Sequence, residues 1–91
     1  MESYENYPLL LDPEIRAVLE NRLILEEDVQ KVIEHAETSG EKFVNRENNH
    51  TLASYKPNLI TYWVEYTVEN KVYRIYDAYS HRMVLEGGKN E

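Results

Sequence analysis

Cysteine is absent from this chain of 91 residues, and glycine and proline occur three times each. The first absence excludes disulfides, thiolate metal sites, iron–sulfur ligation and a cysteine nucleophile. It also suits a reducing compartment such as the cytoplasm. Scarce glycine removes a further class of function. The Gly87-Gly88 pair stands near the C-terminal end and opens no helix, so it cannot build a dinucleotide-binding turn or a phosphate loop. Basic residues are few: ten Lys and Arg stand against 17 Asp and Glu, a formal net charge of -7. Lys31, Lys42, Lys56, Lys71 and Lys89 are scattered, whereas a phosphate backbone is held by clustered cations that release its counterions. Nucleic acid and anionic membranes are therefore poor partners. No apolar run approaches the ~20 residues that span a bilayer. The first six residues are acidic and lack the apolar core of a signal peptide. The expectation is a soluble, cytoplasmic protein.

What is present is enough for one core. The hydrophobic fraction is 42%, close to the globular average. A domain of this size buries roughly 60–65% of the surface its unfolded chain exposes, so a few well-patterned elements must supply the core, with no deep ligand cavity. The organisation expected is a lead-in over residues 1–11, one domain over 12–86 and a frayed tail over 87–91. Asp12-Pro13-Glu14 is a helix start, because Asp accepts from free N–H groups and Pro lacks the one it would leave unpaired. Ile15, Val18, Leu19 and Leu23 follow at helical spacing, which predicts a helix over 13–22. Glu26, Glu27 and Asp28 place negative charge on the positive end of a second helix. Val29, Val32, Ile33 and Ala36 form its buried stripe, and Gly40 supplies a left-handed stop. Leu25, at its N-cap, is an odd cap that packing into the core would explain.

Beyond residue 41 the period changes to two. Strands are predicted at 42–45, 51–56, 59–68 and 71–79, with Arg82 to Leu85 extending the last or forming a fifth. The fold class is thus α+β: an N-terminal αα-hairpin packed on one face of a four- or five-stranded antiparallel meander. Glu69-Asn70 is the predicted hairpin loop. That loop sets Val64 opposite Ile75, Tyr66 opposite Tyr73, Trp63 opposite Tyr76, Glu65 opposite Arg74 and Tyr62 opposite Asp77. Aromatic and opposite-charge pairs of this kind contribute roughly 0.2–1 kcal/mol each.

Chemistry-bearing constellations are sparse. His35, His50 and His81 lack ligand-spaced partners, and a surface or capping role explains them. Ser80 and His81 are neighbours on a strand and point apart. Asp77, on the predicted register, shares a face with Ile75 and Tyr79; a Tyr hydroxyl bonding its carboxylate is favoured over acid–base catalysis. The eight tyrosines and single Trp are more informative. Helices can cover one sheet face, which leaves Trp63, Glu65, Arg74 and Tyr76 on the other, where Tyr, Trp and Arg are the usual anchors of a protein interface. Ordinary strand preference for Tyr explains the same residues without any partner.

Four stretches carry a resemblance: Leu-Asp-Pro-Glu-Ile-Arg at 11–16, Glu-Asp-Val-Gln-Lys-Val-Ile-Glu at 27–34, Tyr-Trp-Val-Glu-Tyr at 62–66 and Ala-Tyr-Ser-His-Arg-Met at 78–83. Together they resemble a small module found beside pyridine nucleotide-disulfide oxidoreductases of the glutamate synthase small-chain type in anaerobic bacteria. The resemblance implies association with a redox flavoenzyme that holds the cofactors and cysteines itself. The expected function is therefore a non-catalytic accessory domain with no cofactor or metal of its own, docking on an oxidoreductase subunit or domain. The alternative is a small-molecule-binding regulatory domain, monomeric or homodimeric, using Tyr62, Asp77, Tyr79, His81 and Arg82 as a polar-aromatic site.

Overall fold

The structure, a computed structural model, describes residues 3–82. A short 3-10 turn (Ser3–Asn6) leads into β1 (Leu9–Leu10), followed by helices α1 (Pro13–Asn21) and α2 (Glu26–Ser39). Strands β2 (Lys42–Asn45), β3 (His50–Tyr55), β4 (Ile60–Glu69) and β5 (Val72–Arg82) complete the order. The class is α+β, as the patterning predicts, but the sheet is mixed. Its order is β1-β5-β4-β3-β2, antiparallel throughout except that β1 pairs parallel with β5 at Leu9–Tyr73 and Leu10–Arg74. The segment expected to be a mere lead-in thus supplies the fifth strand. The Tyr73 N–H donates to Pro8 O at 2.9 Å, the Gln30 side chain donates to Tyr7 O at 3.0 Å, and the Tyr7 ring meets Tyr73 edge-on at 5.4 Å. Met83 to Leu85, the other candidates for that strand, and the tail at 87–91 lie outside the described residues.

Both helices pack on one face of the sheet, α1 against β5 and α2 against β3 and β4. Leu19, Ile24, Val29, Val32, Ile33 and Ala36 from the helical half close over Ala53, Val64, Tyr66, Ile75 and Ala78 from the strands. Leu23, by contrast, is 86% exposed. It is the left-handed residue (φ +57°) that ends α1, with Leu23 N–H donating to Glu20 O and Ile24 N–H to Leu19 O. This pair of hydrogen bonds is a Schellman stop, and Leu19 and Ile24 both belong to the buried core. Helical spacing alone placed Leu23 in the core; the chain has already left the helix there. Leu25 is likewise exposed, not packed inside. Its N–H donates to Asp28 Oδ2 at 3.0 Å, which is half of a capping box, since a leucine side chain cannot return the bond. At the other end Gly40 has φ +81° and donates to Ala36 O.

The β4–β5 hairpin forms, but its register differs from the expected one. The loop is Asn70-Lys71, both with positive φ (+54° and +67°), the pattern of a type I′ turn whose twist matches the strands. Glu69 pairs with Val72, Thr67 with Arg74 and Tyr66 with Ile75. A bulge then intervenes, and Glu65 pairs with Asp77, Val64 with Ala78, Trp63 with Tyr79, Tyr62 with Ser80 and Thr61 with His81. Tyr76 is the extra residue. A bulge lets two successive side chains leave on the same side, which is why Ile75 and Ala78, three apart, are both buried. The turn falls one residue later than expected and the bulge adds a further shift, so the expected pairings Val64–Ile75, Tyr66–Tyr73, Glu65–Arg74, Trp63–Tyr76 and Tyr62–Asp77 are all replaced.

Candidate functional site

The two sides of the sheet have different characters. On the helix side, the most deeply buried hydroxyl is paired. Tyr66 is fully buried, and its hydroxyl donates to Glu37 Oε2 at 2.7 Å, the same oxygen that receives the Lys42 ammonium at 2.9 Å. Burial, followed by the bond to Glu37, pushes the Tyr66 phenol well above its ordinary value. Burial also raises Tyr73.

On the opposite side no helix packs among the described residues, and the surface is aromatic. Trp63 and Tyr79, directly paired across the strands, stack with ring planes 12° apart and centroids 6.2 Å apart. His50 stacks on Tyr76 at 3.9 Å, and Thr67 donates to the Tyr76 hydroxyl at 3.3 Å. Phe43, on the edge strand β2, is 74% exposed, and Leu52 is its cross-strand partner. Phe43, Leu52, His50, Glu65, Asp77 and Tyr79 rim one shallow depression on this face.

Charges on the same face are anchored from several directions. Glu65 and Asp77 stand directly opposite each other, a like-charge arrangement that disfavours pairing. Each has a partner: Glu65 Oε2 lies 2.5 Å from His50 Nδ1, and Asp77 Oδ1 meets the Arg22 guanidinium at 3.2 Å. Arg22 also donates to Ala78 O at 2.7 Å. Arg74 lies near Asp12 at 3.5 Å and Glu69 at 3.6 Å, so its partners are not Glu65. These are half-exposed pairs of modest individual worth; their effect is to fix side-chain positions.

Of the residues proposed from sequence, Trp63, Glu65, Arg74 and Tyr76 do share the side away from the helices, joined there by Asp77 and Tyr79. The second proposed group is divided by the sheet. Asp77 and Tyr79 were expected beside Ile75 on the covered face, and the bulge turns both outward; Tyr62 lines a cleft under α2 on the covered side. His81 is exposed opposite Thr61, and Arg82 ends β5 opposite Ile60. The sheet thus separates Tyr62 from Asp77, Tyr79 and His81, which alternate along β5 on the side away from the helices. His50, Phe43 and Leu52 were missed as members of the aromatic face; the period-two phase of β3, extended one residue back to His50, carries that signal. Arg22 is a long-range partner with no local signature.

The cleft that holds Tyr62 has a volume of about 520 Å³ and is bounded by α2 and the β3–β4 connection. Burial raises the Tyr62 phenol, and the nearby Asp28 carboxylate adds to this while Lys31 opposes it. Among the described residues, no group of three or more His, Asp or Glu side chains could hold a metal ion, and no helix is long and apolar enough to cross a membrane. No protein-family model, curated protein or solved structure matches the chain.

Proposed function

We propose that this chain is a non-catalytic interaction domain that docks a protein partner on the aromatic face of its sheet. The observation that carries the reading is the Trp63–Tyr79 stack beside the exposed Phe43, on a side where no described helix packs. Rigid aromatic side chains supply contact area at low entropic cost, and such residues dominate interface energetics. Here the paired rings and the anchored charges of Glu65, Asp77 and Arg74 are held in place before a partner arrives. A net charge of -7 favours a partner with basic residues around an apolar anchor, through steering and complementarity. The partner class proposed is a flavin-containing oxidoreductase, which rests on the sequence resemblance of segments 11–16, 27–34, 62–66 and 78–83.

Affinity capture from extract of the native host tests this, comparing the wild-type chain with a Trp63→Ala/Tyr79→Ala variant. The expected result is a flavoprotein retained by the wild type and lost by the variant. A chain ending at residue 82 should retain it too. Identical captured proteins for wild type and variant would remove the docking reading. A partner captured specifically but devoid of flavin would remove the redox assignment alone. Loss on truncation, with full binding by the double variant, would place the contact in residues 83–91.

A further inference from the structure

We propose that the cleft between α2 and the β3–β4 connection binds a small organic amine, its ammonium on Glu34 and its apolar body against Tyr55, Tyr62 and Ile60. The site lies on the helix side of the sheet, away from the proposed docking face, and stands independently of it. Its volume of about 520 Å³ falls within the range of roughly 300–1,000 Å³ typical of small-molecule sites. Tyr55, Tyr62 and Ile60 supply the apolar wall, and the Tyr55 ring is backed by His35 at 4.9 Å. Along α2, Lys31, Glu34, His35 and Thr38 follow at helical spacing and line the same cleft.

The sign of the ligand follows from which charges are already answered. Lys31 is paired with Glu27 at 3.6 Å, and its ammonium also lies 5.1 Å from the centre of the Tyr4 ring. His35 is paired with Glu41 at 3.1 Å. Neither Glu27 nor Glu41 lines the cleft, so both bases are held from outside it. Glu34 is half-buried, and its carboxylate has no hydrogen bond or ion pair among the described residues. Asp28, also in the lining, spends one carboxylate oxygen on the Leu25 N–H but keeps its charge. The unanswered charge in the cleft is thus negative. A cation beside tyrosine faces gains from the ring quadrupole as well as from the carboxylate. The Tyr62 hydroxyl has no hydrogen-bond partner among the described residues, so it is available to a ligand's polar group.

The test is a titration of the full chain, followed by amide NMR shifts, with 2-phenylethylamine and separately with 3-phenylpropionate, which carries a carboxylate on a similar body. Saturable shifts confined to Lys31–Thr38 and Tyr55–Tyr62 are expected with the amine, and weaker binding of the carboxylate. Replacing Glu34 by Gln, an isosteric change on a helix surface, should weaken the amine about tenfold, the scale of a lost charge-assisted hydrogen bond. Unchanged dispersion of the remaining amide signals separates that loss from unfolding. Equal or tighter binding of the carboxylate, no saturable shift with either probe, or an unchanged amine affinity in Glu34→Gln would each overturn the proposal.

Discussion

The two faces of one sheet follow opposite rules. The face under the helices buries Ala53, Val64, Tyr66, Ile75 and Ala78 almost completely, and its interior hydroxyl is satisfied by Glu37. The other face pairs its aromatic rings with each other and leaves Phe43 and Tyr79 open. Side chains on the first face are held by what covers them; those on the second are held by their strand neighbours. Substitutions should therefore separate stability from binding according to the face they strike.

The largest stability loss is expected from Tyr66→Ala, about 3–5 kcal/mol, because it removes a buried aromatic and leaves a cavity. Ile75→Ala should follow at about 2–4 kcal/mol. Trp63→Ala, on the other face, should cost about 1 kcal/mol or less in urea unfolding. Comparable losses for Trp63 and Ile75 would abolish the distinction.

Alkaline pH gives a second contrast. Tyr66, Tyr62 and Tyr73 are each raised on folding, chiefly by burial, whereas an unfolded Tyr ionises near pH ~10. The neutral phenols favour the folded state below that pH. Above it the unfolded chain releases protons more readily, so stability should fall as pH rises. Tyr66→Phe should flatten that fall when unfolding is followed from about pH 8 to about pH 11. An equally steep fall would detach it from Tyr66.

The smallest effects concern neither face but the points where the chain reverses. Lys71 and Leu23 hold positive φ without being glycine. Lys71→Gly and Leu23→Gly should each stabilise by about 0.5–1 kcal/mol, read as a shift of the unfolding midpoint without a change in slope.

Much of this architecture is written in local patterns. The Asp12-Pro13 start, the stripe from Val29 to Ala36, the Gly40 stop and the β4–β5 hairpin are visible as spacing and capping chemistry. The bulge is not, because a single extra residue leaves the composition of β5 unchanged while moving Asp77 and Tyr79 to the other side. Nor is the Schellman stop at Leu23, where leucine stands in a position that glycine normally marks. The pairing of Leu9-Leu10 with β5 is also hidden, since two residues have no periodicity. The candidate surfaces were half legible for the same reason. Trp63 and Glu65 sit on β4, whose alternation the bulge on β5 leaves intact, so their face is legible although their partners are not, whereas the cleft beneath α2 depends on elements distant in sequence.

Cross-strand backbone contacts in solution, measured as nuclear Overhauser effects along β4 and β5, bear most directly on the two-faced sheet. The register described here requires contacts between Trp63 and Tyr79 and between Glu65 and Asp77, with Tyr79 ring protons remote from the methyl groups of Val32 and Ile33. Contacts joining Trp63 to Tyr76 and Tyr62 to Asp77, with the Tyr79 ring against those methyl groups, would contradict it.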